Sequence, residues 1–199
     1  MQVLDTYARK YFDSIINSAA KFLAGLGLNS NQVTIMAAVI GVFTGLLVYL
    51  DLFIAAIIVL WLSGFLDAVD GAIARFNNKE SLWGTVLDIT FDRVVEISFI
   101  IGLAFRFPEI RLNLLFMTVS IILSLTIFLT VGAVSEKSGV KSFRYQSGLM
   151  ERTEGFILFT VFLVLPDFIY GLTILYAVLV LYTAIQRFRE AREILSRAD

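Results

Sequence analysis

Six apolar runs decide what this chain can fold into. They fall at 33–50, 53–73, 83–105, 112–134, 155–166 and 168–185, separated by short polar stretches. A bilayer-spanning helix needs about 20 mainly apolar residues, so these runs use most of the chain and leave little else. Hydrophobic residues make up 58% of the 199 positions and charged residues only 17%. Soluble domains carry roughly a quarter charged residues, so the balance agrees with the runs. The fold class implied is all-α, an integral membrane bundle of six transmembrane helices. The fifth run is short, and its helix has room to begin in the polar segment before it.

Ahead of the first run, Tyr11, Phe12, Ile15, Ile16, Ala19, Phe22 and Leu23 recur at helical spacing, with Arg9, Lys10 and Lys21 among them. This pattern predicts an amphipathic helix over 1–26 lying in the membrane interface, followed by a six-span domain over 27–199. A packed helix of the bundle is the plainer alternative. Residues 1–11 are charged and lack the apolar core and cleavage site of a signal peptide, so no leader is expected to be removed. If the N-terminus is cytoplasmic, that side receives Arg9, Lys10, Lys21, Arg75, Lys79, Lys137, Lys141, Arg144, Arg152, Arg187, Arg189, Arg192 and Arg197. The other side receives Arg106 and Arg111, while Arg93 lies within a run. The bias predicts a multi-pass protein of the cell (plasma) membrane with both termini in the cytoplasm. The Gly41-x-x-x-Gly45 pair of the first run reads as helix packing.

What is missing also narrows the chemistry. The chain has no histidine and no cysteine, which removes histidine triads, HExxH zinc sites, thiol nucleophiles and iron–sulfur clusters. A net charge of −1 gives no case for nucleic acid.

Five carboxylates stand inside the second and third runs: Asp67, Asp70, Asp88, Asp92 and Glu96. A carboxylate at mid-membrane costs about 2.5–3.5 kcal/mol on insertion scales, so a group of them requires compensation. Asp67 and Asp70 are spaced i,i+3 and Asp88 and Asp92 i,i+4, so each pair shares one helix face. The connection between the runs is short and polar, which makes the two helices antiparallel neighbours with acidic faces converging at the cytoplasmic end. Arg75 and Arg93 cannot neutralise five acids. A hard divalent cation with oxygen ligands fits better, and Mg²⁺ that keeps waters and binds substrate phosphate fits well. The bland alternative is a structural ion-pair cluster, and Glu96 reads as a structural partner of Arg93 or of an arginine on another span.

Asp67-x-x-Asp70-Gly71-x-x-Ala74-Arg75, eight residues, then Gly84-x-x-x-Asp88-x-x-x-Asp92 resembles the signature of the CDP-alcohol phosphotransferase (CDP-alcohol phosphatidyltransferase) family. Before the first span, Asn29-Ser30-Asn31-Gln32-Val33-Thr34 is similar to that family's Thr-Pro-Asn-x-x-Thr entry, with Ser30 in place of proline. A helix N-cap explains the same residues equally simply. The resemblance implies transfer of a phosphatidyl group, or its archaeal equivalent, from a CDP-diacylglycerol-like donor to a small polar alcohol, with release of CMP. It implies Mg²⁺ or Mn²⁺ on Asp67, Asp70 and Asp88. Asp92 would be the catalytic base and would also touch a second metal. The donor would lie against Asn31, Thr34, Asp67, Asp70, Gly71, Ala74, Arg75 and Gly84, and the enzyme would be a homodimer in the lipid bilayer.

The acceptor is left open. Lys137, Lys141, Arg144 and Arg152 suit forked recognition of a phosphate, which points to inositol phosphate or glycerol 3-phosphate. The positive-inside bias accounts for basic residues there as well. Arg93 after the last aspartate, and 148–155, look similar to the inositol-type branch, but no second basic residue follows Arg152 closely. A neutral acceptor such as serine or inositol is the alternative within the family. From another class, a cation transporter would also place carboxylates on membrane helices, although no repeat relates the two halves of this chain.

Overall fold

The computed structural model describes residues 2–77, 81–137, 150 and 152–195, with side chains from 13 onward and short of the segment ends. Among them there is no strand. Seven α-helices run in order: α1 (Gln2–Gly25), α2 (Ser30–Tyr49), α3 (Phe53–Phe76), α4 (Leu82–Arg106), α5 (Arg111–Lys137), α6 (Arg152–Val164) and α7 (Ile169–Leu195). Short 3-10 turns at Pro108–Ile110 and Pro166–Phe168 precede α5 and α7. Proline suits the first position of each turn because its missing N–H has no partner there anyway.

Each apolar run has become a helix, but not each is a span by length and apolarity. Those that qualify lie in Ser30–Tyr49, Phe53–Phe76, Pro108–Val134 and Pro166–Glu193. Two of the six predicted spans fall outside that group for different reasons. α4 is long enough but carries Asp88, Asp92, Arg93, Glu96 and Arg106. α6 has 13 residues, which at 1.5 Å each reach about 20 Å against a hydrocarbon core of about 30 Å.

The chain divides into two compact units, Met1–Arg106 and Phe107–Asp199. In the first, α2 packs along both α3 and α4, and α1 packs on α3. α3 and α4 make no comparably extended contact with each other, so the expected antiparallel neighbours are bridged by α2. Small residues allow this. A Cβ on Gly41 would strike Ser63 and Val95, and one on Gly45 would strike the backbone carbonyl of Ser98. Gly102 meets the Gly45 backbone in the same way. Serine hydroxyls tie the helices further: Ser63 Oγ donates to the Ala37 carbonyl at 2.8 Å, and Ser98 Oγ to that of Val42 at 2.6 Å. Without a hydrophobic drive between membrane helices, such close approach and hydrogen bonding are what hold them.

The predicted apolar face of α1 is split. Ala20 joins a buried cluster with Val33, Val69, Ala72 and Ile73, and Ile16, Ala19 and Leu23 pack against it. Lys21 Nζ sits 5.3 Å from the centre of the Phe76 ring. Ile15 and Phe22 stay exposed, together with Leu26. The helix therefore docks on α3 and still presents apolar side chains outward. Gly27, with φ of +83°, then turns the chain into α2.

In the second unit α7 packs on α5 and α6. Asn113 Nδ2 donates to the Tyr170 carbonyl at 3.2 Å and to Thr173 Oγ1 at 3.4 Å, which satisfies a buried amide between α5 and α7. Phe159, Phe162 and Tyr176 form an aromatic cluster, with Phe159 and Tyr176 stacked at 5.3 Å.

Gly45→Ala should lower the thermal midpoint in detergent, on the scale of about 1–3 kcal/mol for overpacking a core. Gly132→Ala, where a Cβ meets nothing within 4 Å, is the control and should not. Equal midpoints would remove the α2–α4 contact as a source of stability.

Candidate metal centre and adjoining cleft

The site is built at the C-terminal end of α3 and the N-terminal end of α4. α3 brings Asp67 and Asp70, one helical turn apart, and α4 brings Asp88 and Asp92, also one turn apart. One carboxylate oxygen from each of Asp67, Asp88 and Asp92 lies within 4.8 Å of the others, and all three residues are half-buried. Two ionised carboxylates at that separation repel by about 3 kcal/mol at an effective dielectric of about 20. A divalent cation between them reverses the sign of the interaction, and all-oxygen donors suit Mg²⁺ or Mn²⁺.

Asp70, predicted with this set, stands apart from the trio. It is 6% exposed and lines an adjoining cleft of about 180 Å³ together with Asp88. Asn31, Thr34, Gly71, Ala74, Arg75 and Gly84, which the resemblance assigned to the donor, line the same cleft. Of the residues expected around the donor, Asp67 belongs to the trio rather than to the cleft wall.

Backbone capping fixes the cleft. Asn29 forms a capping box with Gln32: its side chain accepts from the Gln32 N–H at 3.0 Å, and Gln32 Oε1 accepts from the Asn29 N–H at 3.0 Å. The cap reading of 29–34 thus holds at Asn29, while Asn31 and Thr34 line the cleft. Ser30 Oγ donates to the Asp70 carbonyl at 3.0 Å and joins the two helices. On the other side Ser81 Oγ accepts from the Gly84 N–H at 2.9 Å and starts α4. A Cβ on Gly84 would come within 3.3 Å of Asn31 Oδ1, and one on Gly71 within 3.4 Å of Arg75 Nη1. Both glycines keep that space clear.

Ser30, Ser81 and Thr85 also line the cleft; from the sequence Ser30 was met only as a departure from proline or part of a cap, and Ser81 and Thr85 were not singled out. Their signal was available: a serine directly before a predicted helix is a capping candidate, and α4 begins just after Ser81. Glu96 pairs with Arg93, as expected, at 2.5 Å. Of the basic residues assigned to the acceptor, Arg152 begins α6 with its guanidinium 5.5 Å from the Phe156 ring centre. Lys137 ends α5 without a described side chain, and Lys141 and Arg144 lie outside the described residues.

The family model for CDP-alcohol phosphatidyltransferase matches residues 28–186, and the chain belongs to that family. An archaetidylinositol phosphate synthase of Pyrococcus horikoshii is 43% identical over 84 residues, 42% of this chain and 45% of that protein. A phosphatidylinositol phosphate synthase of Streptomyces avermitilis is 38% identical over 96 residues, 47% of this chain and 39% of its own. The chain thus spans less than half the length of these two relatives. The fold is also that of a Mycobacterium tuberculosis phosphatidylinositol phosphate synthase. Its crystal structure with CDP-DAG bound superposes with a TM-score of 0.67 at 24% identity, covering 89% of this chain and 94% of that one. Its complex with manganese and citrate gives 0.69 at 23% identity, covering 89% and 88%.

The repulsion within the trio has a measurable consequence. In chelator, Asp88→Asn should melt no lower than the unsubstituted protein, because one of three like charges is gone. Added Mn²⁺ should raise the midpoint of the unsubstituted protein and leave that of Asp88→Asn nearly unchanged. A variant stabilised by Mn²⁺ to the same degree would dissociate Asp88 from cation binding.

Proposed function

We propose that this protein is a transferase that moves a phosphatidyl group, or its archaeal counterpart, from a CDP-lipid to the hydroxyl of a phosphorylated polyol and releases CMP. The observation that carries the reading is the convergence of Asp67, Asp88 and Asp92 within 4.8 Å beside a small polar cleft. A diphosphate donor needs both features: a cation site for its charge and a pocket with room against a helix backbone. Inositol phosphate is the favoured acceptor, with glycerol 3-phosphate next, because the relatives named above act in inositol phosphate lipid synthesis. Serine and inositol are the neutral alternatives.

Each residue has a part that its chemistry suits. Asp67, Asp70 and Asp88 hold Mg²⁺ or Mn²⁺, and Asp92 shares in that binding. The metal, when bound, neutralises the diphosphate and supports CMP as leaving group. Gly71, Ala74 and Gly84 let the cytidine diphosphate approach the backbone, while Asn31, Thr34 and Arg75 offer hydrogen bonds to it. Asp92 takes the proton as the acceptor oxygen bonds to the lipid-side phosphorus and the bond to the CMP oxygen breaks, its electron pair leaving with CMP. Lys137, Lys141, Arg144 and Arg152 recognise the acceptor phosphate. All six helices from α2 to α7 cross or enter the membrane as one domain over 27–199. α1 lies in the interface, where Ile15, Phe22 and Leu26 meet lipid. Both termini and the site face the cytoplasm of a plasma-membrane homodimer.

CMP release from CDP-diacylglycerol by the purified protein tests the reading, with and without Mn²⁺ and with each candidate acceptor in parallel. Metal-dependent release with a phosphorylated polyol is expected. Release that ignores metal and acceptor would overturn it, and so would failure to bind any CDP-lipid, the archaeal type included. Asp92→Asn should abolish turnover while sparing CDP-lipid binding, and unchanged turnover would remove Asp92 as base. Arg152→Ala should raise the acceptor KM about tenfold or more, the scale of a lost charged hydrogen bond. Unchanged acceptor kinetics would return Arg152 to a topological role.

A further inference from the structure

α3 carries its chemistry on one face and meets α1 with the other. Val69, Ala72 and Ile73 belong to the buried cluster that includes Ala20 of α1, and Phe65 and Leu66 pack against it. At 3.6 residues per turn these five fall on one side of the helix. Asp67, Asp70, Gly71, Ala74 and Arg75, from the same turns, fall on the opposite side, where the trio and the cleft lie. α2 is divided in the same way: Val33 joins the cluster behind, while Ser30, Asn31 and Thr34 line the cleft in front. One apolar cluster therefore backs both of the cleft walls that α2 and α3 supply.

On the α1 side the fully buried member of that cluster is Ala20, 1% exposed. Ile16, Ala19 and Leu23 pack around it and are only partly buried. A methyl group here lets α1 come close to its neighbours, and a larger side chain would have to displace one helix or another, because packed interiors transmit strain. The displacement matters because α3 has few other supports. Within this unit it packs along α2 and α1 and makes no comparably extended contact with α4. Ser30 Oγ ties one point of α3 to α2, by donating to the Asp70 carbonyl at 3.0 Å. From the α1 side Lys21 Nζ, 5.3 Å from the centre of the Phe76 ring, holds the last residue of α3.

We infer that Ala20 is a positioning residue for the lipid donor. Its small side chain seats α1 against the back of α2 and α3 and so sets the width of the cleft in front, which it does not itself line. The inference rests on the reading of that cleft as the CDP-lipid site. Enlarging Ala20 then weakens the donor's hold on correctly folded protein. A merely structural role would lower the amount of folded protein and leave the donor affinity of the remainder where it was.

The test is equilibrium binding of CDP-diacylglycerol, or of the archaeal CDP-lipid if that is the one bound, to the full-length protein in mixed micelles with Mn²⁺ and no acceptor. Ala20→Leu should weaken binding about tenfold, the scale of one overpacked position. Ile73→Ala in the same protein removes from the α3 side as many carbons as Ala20→Leu adds. The pair should return the affinity to within about twofold of the starting value. Unchanged affinity in Ala20→Leu overturns the inference, and so does a loss that Ile73→Ala leaves in place. If Ala20→Leu is not recovered folded, Leu23→Ala decides alone. It loosens the same seat and should weaken binding about threefold, and unchanged affinity contradicts the inference. Asn31→Ala keeps the two readings apart, since Asn31 lines the cleft itself. Binding that survives Asn31→Ala intact, or no binding of either CDP-lipid, removes the donor reading and the inference with it. Binding that Asn31→Ala weakens and Ala20→Leu leaves alone removes only the inference.

Discussion

Like charges brought together among apolar helices set the terms for the rest of this structure. Asp67, Asp88 and Asp92 come within 4.8 Å of one another at the junction of α3 and α4. Such a group is tolerated only where water or a cation reaches it, so the helices carrying it cannot close on each other along their length. α3 and α4 accordingly lean on α2 instead of on one another. α4 bears the consequence most visibly. Its acids and Arg93 occupy part of its circumference, while Val86, Val94, Ile97, Ile101 and Phe105 remain exposed on the rest.

Five glycines of α2, α3 and α4 in this unit divide into two sets with opposite uses. At Gly41, Gly45 and Gly102 a Cβ would collide with a neighbouring helix, so the missing side chain is filled by protein. At Gly71 a Cβ would find only the edge of ordinary contact with Arg75, and at Gly84 it would press on the Ser81 and Asn31 side chains at 3.1 and 3.3 Å, so both missing side chains leave room at the cleft. The first set holds α4 against α2, with Ser98 donating to the Val42 carbonyl. The second set needs that arrangement, because the cleft walls come from all three helices. Packing by small residues in the middle of the helices thus supports the open site at their ends.

This division explains what was legible beforehand. Helix positions were readable because length and apolarity are local properties. The pairing of Asp67 with Asp70 and of Asp88 with Asp92 was readable because helical spacing is rigid. The separation of Asp70 from the trio was not, because it depends on how α3 and α4 are each rotated against α2. The shortness of α6, by contrast, was legible, since the run of 155–166 is itself short and the helix begins at Arg152, in the polar segment before it. The hydroxyls of Ser81 and Thr85 were passed over, and that of Ser30 was read only as a cap, for a reason related to the one at Asp70. Capping residues look like punctuation in a sequence, and only the fold shows that these caps open onto the cleft.

Ser30 carries this point furthest. It occupies the first helical position after the Asn29 cap, where the family pattern resembled by 29–34 has proline. Proline is well suited there, since its fixed φ preorganises the first turn and the N–H it lacks would be unsatisfied in any case. Serine gives up that preorganisation, and the complete capping box of Asn29 and Gln32 offsets it by holding the same turn through two reciprocal hydrogen bonds. What serine adds is a donor. Its hydroxyl reaches the Asp70 carbonyl at 3.0 Å, which ties the start of α2 to the turn of α3 that follows Asp67. The end of one helix and the acidic face of another are then set by a single side chain, at the wall of the cleft that both of them line.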